Sequence, residues 1–114
     1  MVVDGINESA ELRFRVSSSQ SGVSATRLVN ELANQLPELE KILREEHGDV
    51  SVVADREKSV PIDPVTAYLV LKFVGAAIAS GALAKLGEDV YKFLKDRIVN
   101  GSVRKAEDPP RGSN

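Results

Sequence analysis

Cysteine is absent from this chain of 114 residues. That excludes a disulfide scaffold, a thiolate metal site and a cysteine nucleophile, and it suits the cytoplasm. Tryptophan is absent too, and the aromatic share is only 4%, so the core has to be assembled mainly from Leu, Val, Ile and Ala. One histidine is present, His47, with no Ser and acid spaced around it in a way that suggests a catalytic triad. An excess of positive charge is also missing. The formal net charge is -2 and the pI ≈ 5.4, which argues against a nucleic-acid binder, because neutralising phosphates needs clustered Lys and Arg. The opening Met1–Leu12 carries acids early and no basic-then-apolar pattern, so no secretory leader is visible and a cytoplasmic location is expected.

What remains is the composition of an ordinary globular domain, 42% apolar and 28% charged, and long enough to bury a core. Residues 1–9 read as a flexible lead-in with an Asp4-Gly5 turn signal. Residues 10–105 read as one domain, and residues 106–114, with Pro109-Pro110, as a disordered tail. Glu11 to Val16 alternates charged and apolar residues, the period of a strand with Leu12, Phe14 and Val16 on its buried face. Arg13 and Arg15 share the other face, where they either grip an acidic partner or are merely solvated. The polar Ser17–Gly22 connection lacks the lysine and glycine spacing of a phosphate-binding loop.

Ser24 is placed to cap a helix. Leu28, Leu32, Leu36, Leu39 and Leu43 then form an apolar stripe with helical spacing. Pro37 falls inside that stripe, so the segment is one kinked helix or two short ones, the second carrying Pro37 in its first turn. The stripe is too short for a coiled-coil seam, which favours core packing. Gly48 suits the end of this helix, with His47 against the negative end of its dipole. Glu45, Glu46, His47 and Asp49 resemble a ligand set only in composition, since neighbours along a helix point in different directions; no metal and no other cofactor is expected. Val50–Ala54 is a second strand, rich in β-branched residues. A third is expected from Ser59–Ile62 or from Val99–Lys105, because two strands rarely make a stable sheet.

The longest apolar run follows. Asp63 as N-cap and Pro64 at the first helical position predict a helix start. From Val65 to Ala84 only Thr66, Lys72 and Ser80 interrupt apolar or small residues. Beyond Gly81 the pattern becomes that of an amphipathic surface helix, with Leu83, Leu86, Val90, Phe93, Leu94 and Ile98 facing one way. One straight helix over 64–98 would be roughly 50 Å long, too long for a domain of this size, so a break near Ser80-Gly81 is expected. Three readings of Val65–Ala84 stand side by side: the central core helix, an interaction surface, or a membrane-inserting segment opposed by the central Lys72. Asp49, Asp55 and Asp63 fall at element ends, as functional acids often do, but each has a turn or cap role available, and no enzyme is expected.

The chain thus predicts an α+β domain: a small two- to three-stranded sheet, opening β-α-β, packed against a kinked helix and a bent or paired C-terminal helix. Its expected function is that of a non-enzymatic protein–protein interaction module, whether adaptor, regulatory or oligomerisation domain. It would bind a protein partner or itself, and no nucleic acid or small-molecule substrate. The alternative is a membrane-associating protein acting through an apolar helix over 65–84. Partner-binding candidates are Tyr68, Lys72, Gly75, Ala76, Ala79 and Gly81.

The layout also resembles a known family. Leu12–Val16, the leucine-striped ELANQLPELEKIL, Val50–Ala54, the Val60–Pro64 approach and AAIASGALAKL running into Asp89–Arg97 are similar to the bacterial effector-associated constant components. Phe93 stands about where that family's last helix usually carries Trp. The resemblance implies a non-enzymatic accessory module of conflict or signalling systems and assigns no catalytic residue.

Overall fold

The alternation at the start of the chain becomes β1 (Ser9–Ser18), with Phe14 and Val16 buried on one side and Arg13 and Arg15 on the other. The computed structural model describes residues 9–79, 81 and 83–106. The expected lead-in and tail lie outside these residues, except for Ser9, which opens β1, and Ala106, whose N–H donates to the Arg13 carbonyl at 2.9 Å. The leucine stripe resolves into two helices, α1 (Ala25–Ala33) and α2 (Leu36–His47). The Ser24 hydroxyl caps α1 by accepting from Arg27 N–H at 3.2 Å, and Pro37 sits in the first turn of α2, where its missing N–H leaves nothing unpaired. β2 (Ser51–Ala54) follows, then β3 (Pro61–Asp63).

The central stretch corrects the sequence reading. It is no helix: Thr66–Val74 forms β4, the longest partner of β1. Ala67, Leu69, Leu71 and Phe73 point into the core, while Thr66, Tyr68, Lys72 and Val74 point away. The two-residue period was masked by Val70, which lies on the outer face and yet is only 1% exposed. Asp63 caps no helix. Its carboxylate accepts from Val65 N–H at 2.9 Å, closing the tight turn between β3 and β4 with Pro64 inside it. Gly75 then turns the chain into a single-turn helix, α3 (Ala76–Ala79), and Gly81 precedes α4 (Leu83–Arg97), the amphipathic helix expected there. β5 (Gly101–Lys105) closes the fold.

The sheet therefore has five strands, not two or three. It is antiparallel, with order β2-β4-β1-β5 and β3 added alongside β4. Both candidate third strands form. β1 and β2 run the same way, as the β-α-β reading requires, but β4 lies between them. The α+β class stands; the small sheet and the bent or paired helix starting at Asp63 do not. The core lies between one face of the sheet and α1, α2 and α4, where Leu28, Leu32, Leu39, Leu43, Leu86 and Leu94 meet Phe14, Leu69, Leu71 and Phe73. No helix among the described residues is long and apolar enough to cross a membrane, and residues 66–74 of the apolar helix expected over 65–84 are strand.

Two polar bridges tie the antiparallel pair α2 and α4. Arg97 grips Glu38 through both guanidinium nitrogens, with Nη1 to Oε1 at 2.9 Å, while lying over the Phe93 ring. At the other end of α2, the His47 ring meets the Asp89 carboxylate at 2.8 Å. The Arg97 hydrogen bonds hold the Glu38 carboxyl below its ordinary value, and the Arg97 charge acts the same way. A depressed carboxylate adds stability that is complete above its unfolded value and lost as pH falls through its folded value. Glu38→Gln should therefore lower the melting temperature at neutral pH, with the difference fading below about pH 4. Thermal scans of both proteins across pH check this.

The β2 edge is partly covered from α2. Glu40 accepts from the Val52 N–H at 3.0 Å, and Arg44 donates to the Val50 carbonyl at 3.0 Å. Both side chains come from α2 and occupy backbone groups that would otherwise offer a template for strand pairing. Glu40→Ala should destabilise by about 1–2 kcal/mol and promote association. Urea unfolding and light scattering would show it, and Glu40→Gln should restore most of the loss.

Candidate functional site

The helices cover one face of the sheet, and no helix among the described residues lies over the other. Strand register assembles that uncovered face row by row. Val53, Lys72 and Glu11 form one row, Val70 and Arg13 the next, then Tyr68, Arg15 and Arg104, then Thr66, Ser17 and Ser102. Arg13, Arg15, Lys58, Lys72 and Arg104 stand there with the Glu11 carboxylate among them and Asp55 near Lys58 at the edge. The face is thus cationic in a chain whose net charge is -2.

Each cation is held differently. Arg13 lies over the Tyr68 ring at 5.4 Å from its centroid, an arrangement that orients both side chains. Lys58 comes from the β2–β3 connection, which is pinned to the outer edge of β4 by Asp55 N–H to the Val70 carbonyl at 2.8 Å and by Ser59 Oγ accepting from Val70 N–H at 2.9 Å. From there its ammonium reaches over β4 to Glu11 on β1, at 2.8 Å and 3.1 Å from the two oxygens. This strap shields Val70, which explains a buried valine on an uncovered face. The hydrogen bond to Glu11, and then its charge, push the Lys58 ammonium above its usual value. Arg15 and Arg104 are exposed and belong to no ion pair among the described residues.

The candidates named from sequence do not share one surface. Tyr68 and Lys72 lie on the uncovered sheet face. Gly75 is buried at the end of β4, and Ala76, Ala79 and Gly81 belong to the turn between β4 and α4. Ala76 donates its N–H to the Asp49 carboxylate at 3.3 Å. Arg13 and Arg15, read as a strand face, sit at the centre of the cationic surface. Arg104 was missed, because its place beside Arg15 depends on a pairing between the two ends of the chain; the only signal was its position in the Val99–Lys105 candidate strand.

The acids at element ends do not converge. Asp49, Asp55 and Asp63 meet the chain near the end, the middle and the start of β4; Asp55 and Asp63 accept backbone N–H bonds within their own turns, and Asp49 accepts across the fold from Ala76 N–H. A cavity of about 470 Å³ opens between β1 and α4, lined by Leu12, Phe14, Leu83, Ala84 and Gly87 with Glu11, Arg13 and Lys105 among its polar groups. None of its lining residues is a nucleophile set beside a base. The residues that could hold a metal are Glu46, His47 and Asp89, whose ligand atoms lie within 4.8 Å of one another. Folding, not helix spacing, brings Asp89 to them. Nε2 of His47 lies 2.8 Å from the Asp89 carboxylate, and this pair joins α2 to α4.

No family model matches the sequence, and no curated protein is similar to it. Solved structures are similar to it in fold. A de novo designed protein with a ferredoxin fold, determined by solution NMR, has a TM-score of 0.50 and 14% identity over 93% of this chain and 89% of the design. A C-terminal segment of the alpha subunit of aIF2 from Pyrococcus abyssi has a TM-score of 0.47 and 11% identity, over 93% of this chain and 53% of that one. The design identifies the architecture as ferredoxin-like, and at that identity it shows the fold alone.

Proposed function

We propose that this domain is a non-enzymatic protein-interaction module that presents the uncovered face of its sheet to an acidic protein partner. The observation that carries the reading is the concentration of Arg13, Arg15, Lys72 and Arg104 on the one face that no helix covers, in a chain that is acidic as a whole. Charge of one sign gathered on one face steers an oppositely charged partner and fixes its register. Val53 and Val74, 55% and 38% exposed, border the cations and supply apolar contact. The resemblance to effector-associated constant components implies the same kind of role. The site thus moves from the small residues near Gly75 to the sheet, keeping Tyr68 and Lys72.

A panel of short acidic peptides, titrated by fluorescence anisotropy at low and moderate salt, tests the proposal. Binders should weaken steeply with salt, and Lys72→Glu should weaken them about tenfold without altering the melting temperature by more than a few degrees. Binding that ignores Lys72→Glu and Arg15→Glu alike would overturn it.

A further inference from the structure

Within that face one pair of residues stands apart. Arg15 and Arg104 are direct partners in the β1–β5 ladder, on the same side of the sheet. The Ser19 N–H to Asn100 carbonyl and Ala106 N–H to Arg13 carbonyl bonds flank this pair and fix its register. Directly opposed side chains leave the ladder about 5 Å apart at Cβ, and like charges placed so repel. Neither guanidinium is relieved by a carboxylate among the described residues. Most neighbouring cations are relieved: Lys58 and Lys72 both flank Glu11, and Arg13 lies over Tyr68. The next row places Ser17 opposite Ser102, and neither hydroxyl has a hydrogen-bond partner among the described residues. Tyr68 flanks Arg15 on the β4 side, and Thr66 flanks Ser17.

Two planar guanidiniums facing outward from adjacent strands, with a pair of free hydroxyls one row away, match a tetrahedral dianion better than a carboxylate. Each guanidinium can donate two parallel N–H bonds to phosphoryl oxygens, and the hydroxyls can satisfy what remains. We infer that Arg15, Arg104, Ser17 and Ser102 form a phosphate subsite, and that the partner binds through a phosphorylated side chain seated there. The inference rests on the protein-binding reading and deepens it. A protein phosphate is favoured over a nucleic-acid backbone because the chain is acidic as a whole and directly opposed arginines occur in this one row of the face. The face also has a single tyrosine, already occupied by Arg13, where strand-tracking proteins need several stacking surfaces.

The test uses the full chain, isotope-labelled for NMR, with three probes: inorganic phosphate, a set of phosphoserine peptides with acidic flanks, and their unphosphorylated twins. Phosphate should shift the amides of Arg15, Ser17, Ser102 and Arg104 above the rest. Each phosphorylated peptide should bind about tenfold or more tightly than its twin, and Arg104→Ala should erase that ratio. Affinity should rise between about pH 5 and pH 7 as the phosphate gains its second charge. Arg104→Glu supplies a control against misfolding: it should raise the melting temperature by relieving the repulsion while abolishing phosphate selectivity. If twins bind equally well and map to the same face, the phosphate subsite is overturned and the protein-binding reading stands. If neither peptide binds the face, both fail. Tighter binding of single-stranded RNA than of any phosphopeptide, lost in the same variants, would also overturn the inference.

Discussion

Phe73→Ala should cost the fold about 3–5 kcal/mol, enough to remove much of the stability of a domain this size. Phe73 is 0% exposed and set in the core between the sheet and the helices. The value of the experiment lies in its neighbours. In a strand the cost must alternate: Leu69→Ala and Leu71→Ala about 2–5 kcal/mol each, Lys72→Ala and Val74→Ala well under 1 kcal/mol. A helix would instead distribute the loss at steps of three and four. Urea midpoints for the single-alanine variants at Leu69, Leu71, Lys72, Phe73 and Val74 decide between the two, and alternation is the expected outcome; Val70, 1% exposed on the outer face, is left out of the series because its truncation is costly on either reading.

Gly75→Ala should be nearly as damaging. Gly75 has φ +143°, a conformation that side chains rarely adopt, and a Cβ there would lie 2.4 Å from the Asp49 carbonyl oxygen and 2.9 Å from Val50 Cα. Both obstacles are backbone. The Asp49 carbonyl is also held in place by accepting from Ala77 N–H at 3.0 Å, so it cannot step aside without opening the α3 turn. Strain and displacement together predict a loss of about 3 kcal/mol or more. Gly81→Ala is the matched control. Its φ is +86°, but nothing lies within 4 Å of the added carbon, so about 1 kcal/mol is expected. Loss of fold on substituting Gly75 reflects a close backbone crossing, not the loss of a binding surface. Circular dichroism melts of the two variants separate these effects.

Where sequence and structure agree, local chemistry decided the outcome. Ser24, the leucine spacing and Pro37 define two helices whichever way the chain folds around them. The alternation from Leu12 to Val16 marks a strand with one wet face. The amphipathic pattern after Gly81 gives α4. The stretch from Thr66 to Val74 reads as helix, though it is strand, for two physical reasons. Asp63-Pro64 serves a turn as readily as a helix start, because in both the carboxylate accepts a nearby N–H. And Val70 makes the run look apolar on every side, because the β2–β3 connection pinned to it, with Lys58 reaching across β4, joins it only in the folded chain. Sheet order was not legible, since β1 takes partners from the far end of the chain. The same distance hid half of the candidate site: Arg15 was visible as a strand residue, but nothing local says that Arg104 stands beside it.

The central claim is that the uncovered face of the sheet, not the helical layer, meets the partner. Mapping amide shifts of the labelled protein during titration with an acidic peptide tests it directly. The account predicts perturbations at Arg13, Arg15, Tyr68, Lys72 and Arg104, with α2 and the outer side of α4 unmoved. Shifts centred on the helices, with those strand residues silent, would contradict it.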